Sequence, residues 1–198
     1  MSNYNRKDKF YRQAKEEGYR SRAAYKLVEL NKKYRFLKTN SRVIDLGAWP
    51  GGWLQVAERI VGSEGCLVGI DLVPIEPLSE RVHLIAGDVR EELAKALAFA
   101  GGSFSVCLSD MSPKLSGIPE ADRAATASSA ELAWSVAKDA LSEGGVFVVK
   151  LFRGHEADIF VKEIKRFFQR VAREELESTR ATSNEFYAVG LGYKPCVS

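Results

Sequence analysis

Short apolar runs alternate with amphipathic stretches along most of the chain, which is the pattern of a parallel α/β sheet. The apolar runs predict strands at Arg42–Gly47, Gly65–Asp71, Val82–Ala86, Phe104–Asp110 and Val146–Phe152. Helical periodicity predicts helices near 52–61, 90–99, 122–141 and 156–168, and β-like runs at 170–177 and 185–191 follow. Several runs are apolar almost throughout, as expected of strands covered on both faces. We therefore predict a mostly parallel sheet with helices on both faces.

Charged side chains lie where these predicted strands end. Asp45 lies just inside the end of the first strand, Asp71 and Asp110 end the second and fourth, and Lys150 lies near the end of the fifth. Ligands of open α/β sheets bind at the carboxyl ends of the strands. Because a purely structural constraint would favour apolar or turn residues at these positions, we expect a functional site at this edge.

Composition narrows the class of protein. A chain of 198 residues suffices for one α/β domain, and its 45% hydrophobic and 28% charged residues are ordinary for a soluble protein. It has neither an apolar run of the ~18 residues that span a bilayer nor a secretory leader. The three cysteines form no C-x-x-C pair, which argues against a disulfide framework or a zinc site. We expect a cytoplasmic protein that does not bind membranes.

Charge is distributed unevenly along the chain. Residues 1–42 hold thirteen Lys/Arg and four Asp/Glu, a net charge of +9, whereas the remainder carries −6. This predicts a basic N-terminal helical arm at 1–40 packed on a single domain at 41–198, and it favours a polyanionic partner such as nucleic acid. The alternative is a solvated charged helix face. Candidate phosphate contacts are Arg20, Arg22, Lys32 and Lys33.

A glycine-containing loop follows the first predicted strand. The segment from Asp45 to Trp53 is not a dinucleotide fingerprint, because Trp49 stands where that motif needs its second glycine. The Pro-Gly-Gly turn suits a compact zwitterion better than two phosphates. Asp71 and Asp88 would accept hydrogen bonds from ribose hydroxyls and an adenine amino group, respectively. The combination favours S-adenosylmethionine over NAD.

Four motifs carry a family resemblance, in order: Tyr19–Leu27, Ser109–Gly117, Val148–Phe152 and Ser183–Tyr187. With them the chain resembles the FtsJ family, also called RrmJ, of ribosomal RNA ribose 2′-O-methyltransferases, from about Asp8 to Pro195. The loop after Ser109 is similar to that of the bacterial large-subunit enzymes. Trp49 and Lys114 depart from the family pattern, where Ala and Asn are usual.

The resemblance implies a fold, a site and a substrate. The fold is the Rossmann-like S-adenosylmethionine methyltransferase fold, a mostly parallel seven-stranded sheet with a final antiparallel strand inserted at one edge. The catalytic residues it implies are Lys26, Asp110, Lys150 and Glu185, and the cofactor-binding residues are Gly51, Trp53, Asp71, Asp88 and Asp110. The implied substrate is a uridine ribose of 23S rRNA in the assembled large ribosomal subunit, and we expect a monomer without a metal.

The four implied catalytic residues also make chemical sense. A ribose hydroxyl is too weak an acid to attack a sulfonium methyl group unaided, so a base or a strong orienting group must meet it. A lysine loses its proton near neutral pH only when burial or a second cation favours the neutral form, and neighbouring acids act in the opposite direction. The sequence alone therefore leaves open whether these lysines are neutral or charged near pH 7.

Other functions fit less well. The same chemistry on a tRNA anticodon loop or an mRNA cap is disfavoured by the Asp110–Pro113 loop, and a non-catalytic ribosome assembly factor would not need two lysines and two acids. Trp49 argues against an NAD oxidoreductase. His83 and His155 lack a partner at metal-ligand spacing, and no G-x-S-x-G motif is present.

Overall fold

The computed structural model describes residues 9–113, 116–180 and 183–195. The strands are β1 (Arg42–Leu46), β2 (Cys66–Asp71), β3 (Val82–Ala86), β4 (Phe104–Ser109), β5 (Leu141–Phe152), β6 (Phe168–Glu174) and β7 (Glu185–Tyr193). The helices are α1 (Lys9–Glu16), α2 (Ala24–Tyr34), α3 (Gly52–Val61), α4 (Leu93–Ala100), α5 (Pro119–Ala140) and α6 (His155–Ile164), and a 3₁₀ turn follows at Lys165–Phe167.

The strands form one sheet in the order β3-β2-β1-β4-β5-β7-β6. Strands β1 to β5 pair in parallel, whereas β7 is antiparallel to both of its neighbours. This arrangement confirms the mostly parallel sheet and the antiparallel strand inserted near one edge. The order of the central strands reverses beside β1, so the carboxyl ends of β1 and β4 border the crevice in which such sheets bind ligands.

Helices cover both faces of the sheet, which explains the nearly continuous apolar strands. Along β1, Ile44 packs into the core beneath α4, α5 and α6, and Val43 faces the core beneath α2 and α3. Alternate residues of a strand point to opposite faces, so each must be apolar. Helix α2 contributes Leu27 and Leu30, both fully buried, to the second core.

Several element boundaries differ from the predictions by a few residues, and two of these differences have a clear structural cause. Strand β5 begins at Leu141, not Val146, because its Gly144 adopts a φ of 77° and the pairing with β4 shifts register between Phe104 and Val106. This bulge allows Gly144-Gly145, a pair that is typical of turns, to lie within a strand. The helix predicted over 156–168 ends at Ile164, and Phe168, which is buried, already begins β6.

No helix in the described ranges is long and apolar enough to cross a membrane. Cys66 and Cys107 are both free thiols, and burial raises the pKa of each. Cys196 lies outside the described residues, as does Lys114, one of the two departures from the family pattern.

Candidate active site

Two of the predicted catalytic residues meet at the carboxyl ends of β4 and β5. The two strands run in register, with Ser109 opposite Val149, so Asp110 and Lys150 follow side by side. Lys150 Nζ lies 3.0 Å from Asp110 Oδ1 and donates a hydrogen bond to the Asp110 backbone oxygen at 2.7 Å. The Lys150 side chain is only 5% exposed. A charge this deeply buried requires a partner, and Asp110 provides two acceptors.

The other two predicted residues form a second ion pair beside the first. Lys26 of α2 contacts Glu185 at the start of β7, and both side chains are nearly buried. Burial of the apolar face of α2 against the sheet fixes the position of Lys26. Across β5 and β7, Lys150 pairs with Tyr187 and Phe152 pairs with Glu185. The structure therefore brings the four predicted residues together as two neighbouring lysine–carboxylate pairs.

Tyr187 is a member of this cluster that the sequence analysis did not single out. Its ring is fully buried, and its hydroxyl donates to Asp110 Oδ1 at 2.6 Å. Lys26 Nζ lies 5.6 Å from the centre of the Tyr187 ring. A sequence signal did exist, since residues two apart on a strand share a face and Tyr187 stands two positions after Glu185. Tyr187 thus connects the two ion pairs.

The charge state of Asp110 follows from these contacts. Burial alone would raise the pKa of this carboxyl group, but the ammonium groups of Lys150 and Lys26 and the Tyr187 hydroxyl together lower it below its usual value. Burial and the neighbouring charges of Asp110 and Glu185 raise the pKa of Tyr187 well above normal. Asp110 is therefore a carboxylate and Tyr187 a neutral hydrogen-bond donor at neutral pH.

The glycine loop after β1 folds back against the end of β2. Gly47 has a φ of 74°, and its backbone N–H donates to the Ile70 carbonyl at 2.8 Å. A Cβ atom at Gly47 would lie 2.3 Å from Met111 Cγ, so glycine is required for both conformation and space. The backbone N–H of Trp49 donates to Asp71 Oδ2 at 2.9 Å, and this hydrogen bond holds the loop against the neighbouring strand.

A small cavity of about 40 Å³ lies under this loop and reaches Asp110. Asp45 lines it and is 2% exposed; burial, with the charges of Asp110 and Asp71, raises the pKa of Asp45 well above normal. This favours a protonated carboxyl group that can donate a hydrogen bond into the cavity. Trp53 also lines the cavity, and its indole N–H donates to the Ala23 carbonyl at 2.8 Å.

The remaining predicted cofactor residues lie around this cavity. Gly51, with a φ of 104°, packs against Arg20 and does not line the cavity. Asp71 lies at the end of β2 and also accepts a hydrogen bond from the Val73 N–H at 2.8 Å. Asp88 follows β3 and is held near Asp71, because the Gly87 N–H donates to the Asp71 carbonyl at 2.9 Å. The two predicted acids therefore lie beside each other, at the ends of neighbouring strands.

The basic side chains predicted to contact phosphates have varied surroundings. Arg20 is engaged within the protein, because its guanidinium donates to the carbonyls of Pro50, Glu76 and Pro77 and so joins two loops. Lys33 pairs with Glu174 at 2.6 Å but is 59% exposed, and Lys32 is exposed. Arg22 donates to the Ser178 carbonyl. Charge counting does not separate surface cations from those that join loops, so the contacts of Arg20 make it a weaker candidate for a phosphate contact than its charge alone indicates.

The described part of the chain contains no group of three or more His, Cys, Asp or Glu residues that could hold a metal ion. His83 stacks on Phe99 with ring centres 3.9 Å apart, which is a packing role.

Comparison with known proteins shows the family to which the chain is similar. The family model described as FtsJ-like methyltransferase matches residues 19–193. The chain is 43% identical over 190 residues, 95% of its length and 96% of the relative's, to a "Ribosomal RNA large subunit methyltransferase E" from Syntrophobacter fumaroxidans. A protein of the same name from Methanothrix thermoacetophila is 45% identical over 93% of the chain and 72% of its own length. A crystal structure from Plasmodium falciparum, described as a ribosomal RNA methyltransferase, matches with a TM-score of 0.78 and 28% identity, covering 89% of this chain and 100% of that one.

Proposed function

The chain belongs to the FtsJ-like methyltransferase family, and from this membership we propose that it transfers the methyl group of S-adenosylmethionine to a ribose 2′-oxygen of 23S rRNA. The observation that carries the proposal is Lys150, a nearly buried ammonium group held by Asp110 at the strand ends, beside the glycine loop. Few structural reasons exist for a lysine at this depth.

The residues at this edge fit the methyl donor. The loop at Gly47 brings backbone close to the cavity, and Asp71 and Asp88 lie beyond it at the ends of β2 and β3. In the groove that we propose between these two acids and the glycine loop, their carboxylates would accept hydrogen bonds from ribose hydroxyls and from the adenine amino group, respectively. When bound, S-adenosylmethionine supplies an electrophilic methyl group on a sulfonium centre. A cavity of about 40 Å³ would hold only the methionine end, and the nucleoside would lie along the groove.

The chain's own contribution is positioning and proton handling. Lys150 first releases a proton to solvent and, as the neutral amine, meets the ribose hydroxyl and accepts its proton as the new carbon–oxygen bond forms and the methyl–sulfur bond breaks. Asp110 fixes the direction of Nζ by its two contacts, and its negative charge stabilises the ammonium group that results. Lys26, held by Glu185, orients the hydroxyl from the second ion pair. Such alignment of two substrates accounts for a large part of the barrier reduction in transfer reactions.

The substrate proposal rests on the relatives and on the charge of the chain. The relatives named above are large-subunit rRNA methyltransferases, and residues 1–42 carry a net charge of +9. We assign a uridine of 23S rRNA in the large subunit as the target, with the protein acting as a cytoplasmic monomer. Activity on a tRNA or mRNA cap with none on large subunits would contradict this assignment.

Single-turnover methylation of large subunits from a strain lacking the enzyme tests the assignment of residues. Lys150→Ala should lower the rate by roughly 100-fold or more, the range of general bases. Its affinity for S-adenosylmethionine should stay near that of the wild type. Glu185→Ala should lower the rate less, because Glu185 orients Lys26. Lys162→Ala, an exposed lysine on α6, is the matched control. A normal rate for Lys150→Ala would overturn the proton-transfer role.

A further inference from the structure

A second and larger space, a cleft of about 520 Å³, opens beside the two ion pairs. Its volume lies within the roughly 300–1,000 Å³ typical of small-molecule sites, so it can take one nucleotide. Lys26 and Glu185 form part of its wall, and Asp110 lines the smaller cavity under the glycine loop. Ala23 lines both spaces. Lys26, Glu185 and Asp110 therefore lie near the point where the two spaces approach each other, and Lys150, which lines neither space, contacts Asp110.

The cleft has the electrostatic character of a phosphate site. Its described lining includes four basic side chains, Arg22, Lys26, Arg123 and Arg180, and two acidic ones, Asp122 and Glu185. Both acids are engaged locally. Asp122 accepts hydrogen bonds from the Ser116 and Gly117 N–H groups and from the Ser116 hydroxyl at 2.7–3.1 Å, and Glu185 pairs with Lys26. The arginines leave the cleft net positive, which suits a phosphodiester backbone.

Arg123 reaches the cleft because of a glycine on the neighbouring loop. It lies in the first turns of α5, and its guanidinium contacts Glu120 at 3.0 Å near the surface. A Cβ atom at Gly154, which follows β5, would lie 2.7 Å from Arg123 Cδ. Glycine at this position therefore leaves room for the aliphatic part of the Arg123 side chain along the cleft wall.

Phe152 gives the cleft an aromatic wall beside the catalytic lysine. It is the last residue of β5, two positions after Lys150, so the two side chains share a face of the strand. Phe152 is partly exposed, lines the cleft, and belongs to neither of the two apolar cores. An aromatic ring outside the core, in a basic cleft, is the usual platform for a stacked nucleobase.

Building on the proposed methyl transfer to RNA, we propose that this cleft holds the acceptor nucleotide in an extruded form. Its base stacks on Phe152, and Arg123 and Arg180 bind the adjoining phosphates. Its ribose lies between Lys26 and Lys150. Lys26 lines the cleft whereas Lys150, only 5% exposed, does not, so a ribose can approach this pair of lysines only as part of a nucleotide that has left its stack and entered the cleft beside Lys26. Enzymes that modify structured nucleic acid commonly take the target nucleotide out of its stack in this way.

The test compares variants of the cleft for RNA affinity, methylation kinetics and donor affinity. Phe152→Ala and Phe152→Leu should each raise the RNA dissociation constant and KM by roughly 5- to 100-fold, the range for loss of one base–aromatic contact. Phe152→Tyr should keep wild-type values, and donor affinity should be constant throughout. Leucine preserves apolar volume, so a purely structural role for Phe152 would leave Phe152→Leu unaffected.

A second test, on Arg123, measures how RNA affinity depends on salt concentration. Arg123→Ala should weaken RNA binding and flatten the slope of log affinity against log salt by about 0.7–0.9, the value for one phosphate. The matched control is Arg166→Ala, an exposed arginine in the 3₁₀ turn before β6, at the opposite end of the sheet from Phe152.

Normal KM and RNA affinity for Phe152→Leu and Arg123→Ala, with intact methylation by the wild type, would overturn the cleft assignment alone. Cleft variants that lose RNA affinity while the wild type transfers no methyl group would instead contradict the proposed function and support the cleft.

Discussion

Replacement of Tyr187 by phenylalanine isolates one hydrogen bond at the centre of the site. The ring is fully buried and would be retained, so the change removes only the hydroxyl that donates to Asp110 Oδ1 at 2.6 Å. A hydrogen bond to a charged group contributes about 1.5–3 kcal/mol. Lys150 still contacts the same oxygen at 3.0 Å, which keeps the carboxylate partnered and favours the lower end of that range.

The loss should depend on pH in a defined direction. Asp110 has a lowered pKa in the folded protein, so its contribution to stability is present above the ordinary aspartate pKa of about 3.9 and is lost as the pH falls through the folded value. Without the Tyr187 hydroxyl the pKa of Asp110 is lowered less. The difference in unfolding free energy between Tyr187→Phe and wild type should therefore be full at pH 7 and shrink as the pH falls through the lowered folded pKa of Asp110.

Urea unfolding at several pH values measures this difference directly. At pH 7 we expect a loss of about 1.5–3 kcal/mol, which corresponds to a decrease in Tm of roughly 3–12 °C. The methylation rate should decrease by roughly tenfold, or 1.4 kcal/mol, if Tyr187 holds Asp110 in place for Lys150. A stability loss below about 0.5 kcal/mol at pH 7, or a loss that increases as the pH is lowered, would refute the reasoning.

Three further predictions concern the loops and the groove. Arg20→Ala should lower the free energy of unfolding by about 1–3 kcal/mol and leave the salt dependence of RNA binding unchanged, since its guanidinium joins two loops; a flattened salt slope with unchanged stability would contradict this. Asp88→Ala should weaken S-adenosylmethionine binding in calorimetry, and Asp88→Asn should weaken it less; NAD binding with no S-adenosylmethionine binding would refute the donor assignment. Trp49 is 58% exposed whereas Trp53 and Trp134 are each 3% exposed, so donor binding should change the solvent-exposed part of the tryptophan fluorescence, and an unchanged spectrum would exclude the groove beside Trp49.

Much of the fold could be read from the sequence because the strands are buried on both faces. Runs such as Val146–Phe152 are apolar except at Lys150, and helix α3 (Gly52–Val61) begins and ends as predicted. The start of β5 could not be read, because a bulge at Gly144 depends on pairing with β4. The end of α6 was placed too late, since the helical pattern continues into a 3₁₀ turn.

The sequence motifs predicted which residues form the site. They did not predict the contacts between those residues, because the contacts depend on how the elements pack. Lys26 and Glu185 were expected in one site, but their direct pairing depends on how α2 packs beside β7. The hydrogen bond from Tyr187 depends on the antiparallel register that places it opposite Lys150. The internal role of Arg20 depends on loops that meet only in the folded chain.

The central claim is tested most directly by mapping 2′-O-methyl groups in ribosomal RNA from cells with and without this protein. We predict that one uridine ribose of 23S rRNA loses its methyl group without the protein and regains it when the wild-type chain is restored. The Lys150→Ala chain, expressed at the same level, should not restore it. An unchanged map of 23S rRNA, with a methyl group lost from a tRNA or an mRNA cap instead, would contradict the account.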